Sequence, residues 1–553
     1  MDAPQREPTD IDRIAEAWVD TTVALHPEYA VLLGRPGFDG LYSDWSPDGL
    51  AADDEAEHTV LRRLDATEAV DEVDRITKED LRRELLLSIE SRDASLPLRE
   101  VNTIESPLQG IRDVFDLVPT ATEADWAAIA ARLHGVGVAL GGYADRLRLG
   151  AERGVVPAQR QVALAAEQAS GFAAPDGFFA ELAVRAARRD GLPISLVRGI
   201  ADGAREAAAA YDRIANVLRS EIGPVASGSD AVGRDLYALS SRRFLGAAVD
   251  LDDTYEWGVE QLAGTAAEQE EVAGRIVPGG TVDDAIAALE ADPAQRLDGT
   301  DALQAWMQRL SDAAIEQLGS THFEIPEPVR TLECRIAPTH SGVIYYTPPA
   351  DDLSRPGRMW WSVPEGVDRF TTWRETTTVY HEGVPGHHLQ IATALTNRSL
   401  NTWRRNAGTS GYWEGWALYA ERLMAELGYL ADPADRLGML DGQRLRAARV
   451  VIDIGLHLGK RDGEGAVWTR DSALELLRRH VHMDDAFLRF EVDRYAGWAG
   501  QAASYKVGQR IWEDLRAETA RREGDAFDLR AFHRRALLLG GMGLDTLRGA
   551  LTG

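Results

Sequence analysis

Apolar residues recur at three- and four-residue spacing through most of this 553-residue chain, most plainly in the Ala/Leu/Arg/Glu-rich runs 195–221 and 266–276. That period places one apolar stripe along an α-helix, whereas a strand needs alternation, so the chain is constrained to a mostly α fold. Gly/Pro pairs interrupt the runs at Pro36-Gly37, Gly223-Pro224 and Pro278-Gly279, where the backbone is expected to turn. The small, polar stretch VASGSD at 225–230 predicts a boundary between a helical region 1–225 and a second region 226–553, or a joint within one continuous fold. Two segments break the helical period. Residues 333–349, ECRIAPTHSGVIYYTPP, and 357–364, GRMWWSVP, are β-branched or aromatic and bounded by Pro, Gly and Ser, which predicts a small hairpin or sheet.

Charge and composition exclude several function classes. The chain carries 60 basic and 89 acidic residues, a formal net charge of -29. A field of that sign repels phosphate backbones, so neither nucleic acid nor an anionic membrane is an expected partner. No run approaches the ~20 apolar residues of a membrane-spanning helix. The opening residues have no basic and apolar leader pattern, so a cytoplasmic location is expected. Cys334 is the single cysteine, which excludes an internal disulfide and a cysteine-based zinc site.

Histidine is scarce, yet three of the twelve fall in residues 381–388, HEGVPGHH. Glu382 follows His381 directly. The pattern resembles His-Glu-x-x-His, in which two histidines one helical turn apart face one zinc ion and the glutamate activates water. Here His381 and His387 are six residues apart, which on an unbroken helix leaves them about 120° apart around the axis. Pro385 in a continuing helix would clash with the carbonyl of residue 381. A two-residue bulge at Pro385-Gly386 is therefore expected, and it can return His387 to the face of His381. His388 lies on the same face of a straight helix but about 10 Å along it, which suits a supporting or substrate-contacting role. A third ligand is needed if one position is to stay open for water. TSGYWEGWALYAERLMAEL, residues 409–427, reads as a helix with Glu414, Leu418 and Glu421 on one stripe. A carboxylate among so many aromatics is costly to bury unless it binds metal or is paired. Glu414 is accordingly the candidate third ligand. Glu421 is either a hydrogen-bond partner of a ligand histidine or a solvated surface charge.

HEGVPGHHLQ followed by GYWEGWALYAERL resembles the bacterial family labelled domain of unknown function 885. That family resembles the gluzincin metallopeptidases, such as oligoendopeptidases and Taq-type carboxypeptidases. The likeness extends to Tyr345-Tyr346-Thr347-Pro348-Pro349 and to YAGWAGQAASYKVGQ near the C-terminus, and concentrates after about residue 225. The resemblance implies a large helical fold enclosing a channel with a small sheet beside the active site. It also implies one zinc ion held by His381, His387 and Glu414, Glu382 as general base, and a short peptide or peptide-like substrate cut at an amide bond. Tyr505 is the candidate oxyanion donor, or else a packing tyrosine. Arg494 or Lys506 is a candidate anchor for a substrate carboxylate, and Tyr346 a candidate substrate contact. His457 is either a supporting histidine or a packing one. The strand Met359-Trp360-Trp361-Ser362 either pairs with an extended peptide by strand addition or is plain core. Two other readings of the ligand set are a non-haem iron oxygenase, whose triad is also two histidines and a carboxylate, and a scaffold that retains a degenerate metal site without hydrolysis.

Overall fold

The computed structural model describes residues 6–337, 344–351 and 353–552. Helices follow one another from Asp10–Leu25 to Leu544–Thr552, with five short strands among the described residues. Several starts are capped as the local sequence dictates. Thr9, Thr122 and Thr281 each accept the backbone N–H three residues on, and an aspartate at that third position bonds back. Such a capping box satisfies amide donors that the first helical turn leaves open.

The apolar stripes meet in three cores. One lies within residues 101–222, where Glu123–Glu152, Gln159–Ala173, Phe178–Arg188 and Ile194–Val217 pack together. A smaller one joins Asp10–Leu25, Pro47–Asp65 and Glu72–Asp93 to Trp403, far along the chain. The largest gathers residues from Tyr237 to Leu551, with Ile76.

Six helices of this large core frame the histidine cluster: α1 Thr372–Glu382, α2 His387–Thr396, α3 Ser410–Glu426, α4 Pro433–Leu458, α5 Asp485–Gly497 and α6 Gln501–Glu523. Thr409 caps α3 by accepting the Tyr412 amide. Helices α3 and α6 touch backbone to backbone. A Cβ on Gly415 would lie 2.4 Å from the Gly508 carbonyl carbon, and one on Gly508 would lie 2.3 Å from the Gly411 oxygen. Glycine at all three positions lets the helix bearing Glu414 approach the helix bearing Tyr505.

The segments predicted as a hairpin or sheet form a three-stranded mixed sheet. Strand β1 is Arg296–Asp298, β2 Leu332–Ile336, β3 Ile344–Thr347, β4 Gly357–Trp361 and β5 Arg369–Thr371. The order is β2-β4-β3, with β4 parallel to β2 and antiparallel to β3. Residues 338–343 of the predicted segment lie outside the described residues. Because β4 is central, both its edges are already paired, so Met359–Trp361 cannot take up a peptide by strand addition. Met359 and Trp361 are instead buried in the core. The pair β1–β5 forms a second, two-stranded sheet that the sequence pattern did not reveal. No helix among the described residues is long and apolar enough to cross a membrane.

Candidate metal centre

Helix α1 ends at Glu382, and α2 begins at His387. Between them the Gly386 amide donates to the carbonyl of Tyr380, six residues back, at 3.0 Å. A normal helical bond reaches four residues back, so two residues have been inserted into one turn. This is the bulge the His381–His387 spacing required. Gly386 is obligatory at the pinch, since a Cβ there would lie 1.9 Å from the His381 carbonyl oxygen. Trp416 of α3 clamps the bulge by donating its indole N–H to Pro385 O at 2.8 Å.

The bulge brings the imidazoles of His381 and His387 to 4.9 Å between ring centres, nearly perpendicular. Glu414 meets them from α3. Its Oε2 lies 3.4 Å from His381 Nε2 and 3.6 Å from His387 Nε2. Candidate ligand atoms of these three residues all fall within 4.8 Å of one another. No hydrogen bond satisfies the enclosed Glu414 Oε2.

A chain of buried polar groups fixes which nitrogen of His381 faces Glu414. The Lys506 ammonium can only donate, and it donates to Gln443 Oε1 at 2.7 Å. Gln443 must then present its NH₂, which donates to Glu421 Oε2 at 2.9 Å. Glu421 Oε1 is 2.8 Å from His381 Nδ1, so that nitrogen carries the proton. In the neutral imidazole the lone pair on His381 Nε2 then points at Glu414 Oε2. Two lone pairs at that separation repel unless a proton or a metal ion lies between them. The charges report the same demand. Burial opposes a charged His381, yet Glu414 and Glu421 outweigh it and push its pKa up to about 10. Burial likewise raises the Glu414 carboxyl, but the two histidines hold it well below the usual carboxylate range. Convergent nitrogen and oxygen donors, an orphaned carboxylate oxygen and a histidine oriented by a second carboxylate are what a divalent zinc-type site needs.

Glu382 is buried beside the triad. Burial pushes its carboxyl up, His387 and His381 ease it back, and Glu414 raises it further. The Tyr505 phenol, also raised by burial, is raised further by Glu414 and lies over the Arg449 guanidinium at 4.9 Å. The hydroxyl of Tyr505 makes no hydrogen bond to any described residue, so it is free to donate.

The other sequence candidates have different partners. His388 is fully buried and burial pulls it down to about 4, so it is neutral. Its Nε2 donates to Val329 O at 2.7 Å, and Nδ1 accepts from the Tyr346 hydroxyl at 2.9 Å. His388 and Tyr346 thus tie α2 to the sheet, and both ring nitrogens of His388 are engaged outside the triad. Gly357 makes room for them, since a Cβ there would lie 2.6 Å from each. Lys506 is enclosed between Gln443 and Gln509, and burial lowers it to about 8. Arg494 is held by Glu491 at 2.9 Å and Gln501 at 2.6 Å. Neither cation is spare for a substrate carboxylate. His457 bonds to Tyr495 O at 2.8 Å and lies 3.6 Å from Asp453. It therefore fastens α4 to α5.

Arg446 is the residue that sequence reasoning missed. It falls one turn from Gln443, which touches Glu421, and one turn from Arg449, which underlies Tyr505. Its positive charge is felt by Glu382, Glu421 and Tyr505. Its recorded bond is Nη1 to Gly442 O at 3.3 Å; no carboxylate pairs with it, and its buried Nε has no partner among the described residues. The signal was present as a polar stripe, Gln443, Arg446 and Arg449, in a helix otherwise rich in small and apolar residues.

No curated protein matches the chain. Solved structures do. A "putative lipoprotein" from Colwellia psychrerythraea is 22% identical, with a TM-score of 0.81 and coverage of 99% of each chain. A "putative lipoprotein of unknown function" from Shewanella oneidensis is 18% identical, with a TM-score of 0.76 over 99% of this chain and 100% of that one. At such identities the likeness speaks to the fold alone. The family described as bacterial protein of unknown function (DUF885) matches residues 27–551, and the chain belongs to that family.

Proposed function

We propose that this protein is a zinc-dependent hydrolase that cleaves amide bonds of short peptides or peptide-like molecules. The observation that carries the proposal is the orphaned Glu414 Oε2 facing the Nε2 atoms of His381 and His387, with Glu382 adjoining them. A zinc ion held by these three side chains would polarise a carbonyl and lower the pKa of water towards ~7. The His₂Glu donor set favours zinc over the hard-oxygen cations.

The chain's own groups then have distinct tasks. Glu382 takes a proton from the attacking water and passes it to the leaving nitrogen, and a carboxyl raised by burial is better matched to both steps. Tyr505 donates its hydroxyl to the oxygen on which charge develops. Arg446 supplies the unpaired positive charge, suited to a substrate carboxylate or carbonyl. Three carboxylates surround the site: Glu382, Glu414 and Glu421. A dication and Arg446 together bring that charge near balance. The resemblance to gluzincin peptidases points the same way.

The test is hydrolysis of a mixed peptide library by wild type and Glu382→Gln, with zinc content measured on both. Loss of general-base help is worth about 10²–10⁴ in rate. A drop of that size with zinc content unchanged supports the proposal. Undiminished hydrolysis by the variant, or none by zinc-loaded wild type, overturns it.

A further inference from the structure

A cleft of about 440 Å³ opens between the N-terminal helices and residues 496–499, the end of α5 and the start of the turn to α6. It shares no lining residue with the metal centre. Three arginines on its walls, Arg99, Arg146 and Arg243, make no hydrogen bond or ion pair with any described residue. They come from three separate elements: the turn Leu96–Arg99, the helix Glu123–Glu152 and the helix Arg234–Leu245. Arg146 is only 3% exposed, and its Nε is enclosed without a partner, as is that of Arg99. The Arg146 guanidinium lies over the face of Trp45 at 5.3 Å.

The acids of the same walls are otherwise engaged. Asp53 pairs with His26 at 3.1 Å, Glu57 pairs with Arg92, and Asp230 pairs with Arg160 at 3.1 Å. Glu100 feels Arg243 and Arg146, but lies beyond ion-pair distance of either, and burial pushes its carboxyl up. Glu100, Asp53 and Asp44 therefore act on Arg146, and Glu100 and Glu105 on Arg243, only from beyond ion-pair distance, so none of the three guanidinium groups has a bonded counter-charge among the described residues. Burying a cation without a bonded counter-charge is unfavourable, and burial depresses both Arg99 and Arg146. Such an arrangement is stabilised when an anion enters, because the guanidinium fork matches a carboxylate or phosphate with two parallel hydrogen bonds. Phe244 and Trp498, edge to face at 5.5 Å, supply an aromatic wall beside it. A volume of this size falls in the range of small-molecule sites.

We propose that this cleft binds a small organic anion, whose carboxylate or phosphate group is held by Arg99, Arg146 and Arg243 and whose carbon skeleton lies against Phe244 and Trp498. The site is independent of the metal centre and of any hydrolysis there.

Calorimetric titration and thermal melting of the full chain test it, with inorganic phosphate, phenyl phosphate and benzoate as probes. Saturable binding of at least one probe, with a matching rise in Tm, is expected. Phenyl phosphate against benzoate tells which oxyanion is preferred, and phenyl phosphate against inorganic phosphate tells whether the aromatic wall contributes. Arg243→Gln, at an exposed position, should weaken binding at least tenfold, and Arg146→Gln should abolish it. Without anion, Arg243→Gln should not melt below wild type, since it removes an exposed charge that has no hydrogen-bonded partner. No saturable binding of any probe overturns the proposal. So does unchanged affinity in both variants, which would place the anion elsewhere, for example at the metal centre.

Discussion

Replacing Glu421 by glutamine isolates the part of the proposed zinc site that orients His381 without being one of the three proposed ligands. Glu421 Oε1 holds the His381 Nδ1 proton at 2.8 Å, and Oε2 accepts from Gln443 at 2.9 Å. A glutamine can still offer His381 a carbonyl oxygen. Its NH₂ then faces the NH₂ of Gln443, donor against donor. Gln443 cannot turn over to help, because its own oxygen is taken by the Lys506 ammonium at 2.7 Å. Loss of a histidine's supporting carboxylate costs about 10–100-fold in metal affinity, or about 1.4–2.8 kcal/mol. The donor clash puts Glu421→Gln at the upper end, near 100-fold. Zinc affinity measured by competition with a chelator is the assay, with circular dichroism to confirm the fold. Adding Lys506→Met should release Gln443 and recover part of the loss, a coupling that a double-mutant cycle reads directly. Unchanged affinity in Glu421→Gln would refute the orienting role. A complete loss equal to that of Glu414→Ala would show that Glu421 is itself a ligand.

Three further outcomes are expected. His387→Ala should abolish zinc binding, while His388→Ala should retain it and lose about 1–3 kcal/mol of stability by leaving the Val329 carbonyl unpaired; the reverse pattern in a zinc titration would exchange the two assignments. Gly386→Ala should lower zinc affinity and Tm together, because the new methyl would lie 1.9 Å from the His381 carbonyl and the bulge must open; a variant with wild-type affinity would show the pinch to be dispensable. Burial raises Glu375 to about 7 from an ordinary 4.5, so the folded protein keeps a proton that the unfolded chain releases between those values. Its contribution to stability is therefore present below pH 4.5 and lost as pH rises to 7, on the order of 2 kcal/mol for a half-buried side chain. Denaturant melts of Glu375→Gln should flatten by that amount over the window, and identical pH profiles would exclude it.

The helices were legible because their period is local: every residue needed to recognise 195–221 or 409–427 lies within the segment itself. The His381–His387 spacing was also informative, since a proline and a glycine between two would-be ligands leave few ways to share a face. Glu421 could be narrowed only to two roles, because its partner Gln443 lies on another helix. Sheet order was not legible. That β4 pairs with both β2 and β3, and so has no free edge, depends on contacts spanning loops of different lengths. His388 looked available on a helical wheel, yet its two partners, Val329 and Tyr346, come from 59 and 42 residues away. Glu491 and Gln509 lie one helical turn from Arg494 and Lys506 and were legible as partners, whereas Gln501 and Gln443 lie on other helices and could not be placed beside them from spacing. Arg446 went unnoticed for the complementary reason: what distinguishes it is the absence of a partner, which only packing reveals.

The most direct test is metal content by mass spectrometry of tag-free protein, wild type beside Glu414→Ala. About one zinc per chain in wild type, lost in the variant, is the predicted result. No stoichiometric zinc after zinc addition, or equal zinc in both proteins, would contradict a centre built from His381, His387 and Glu414.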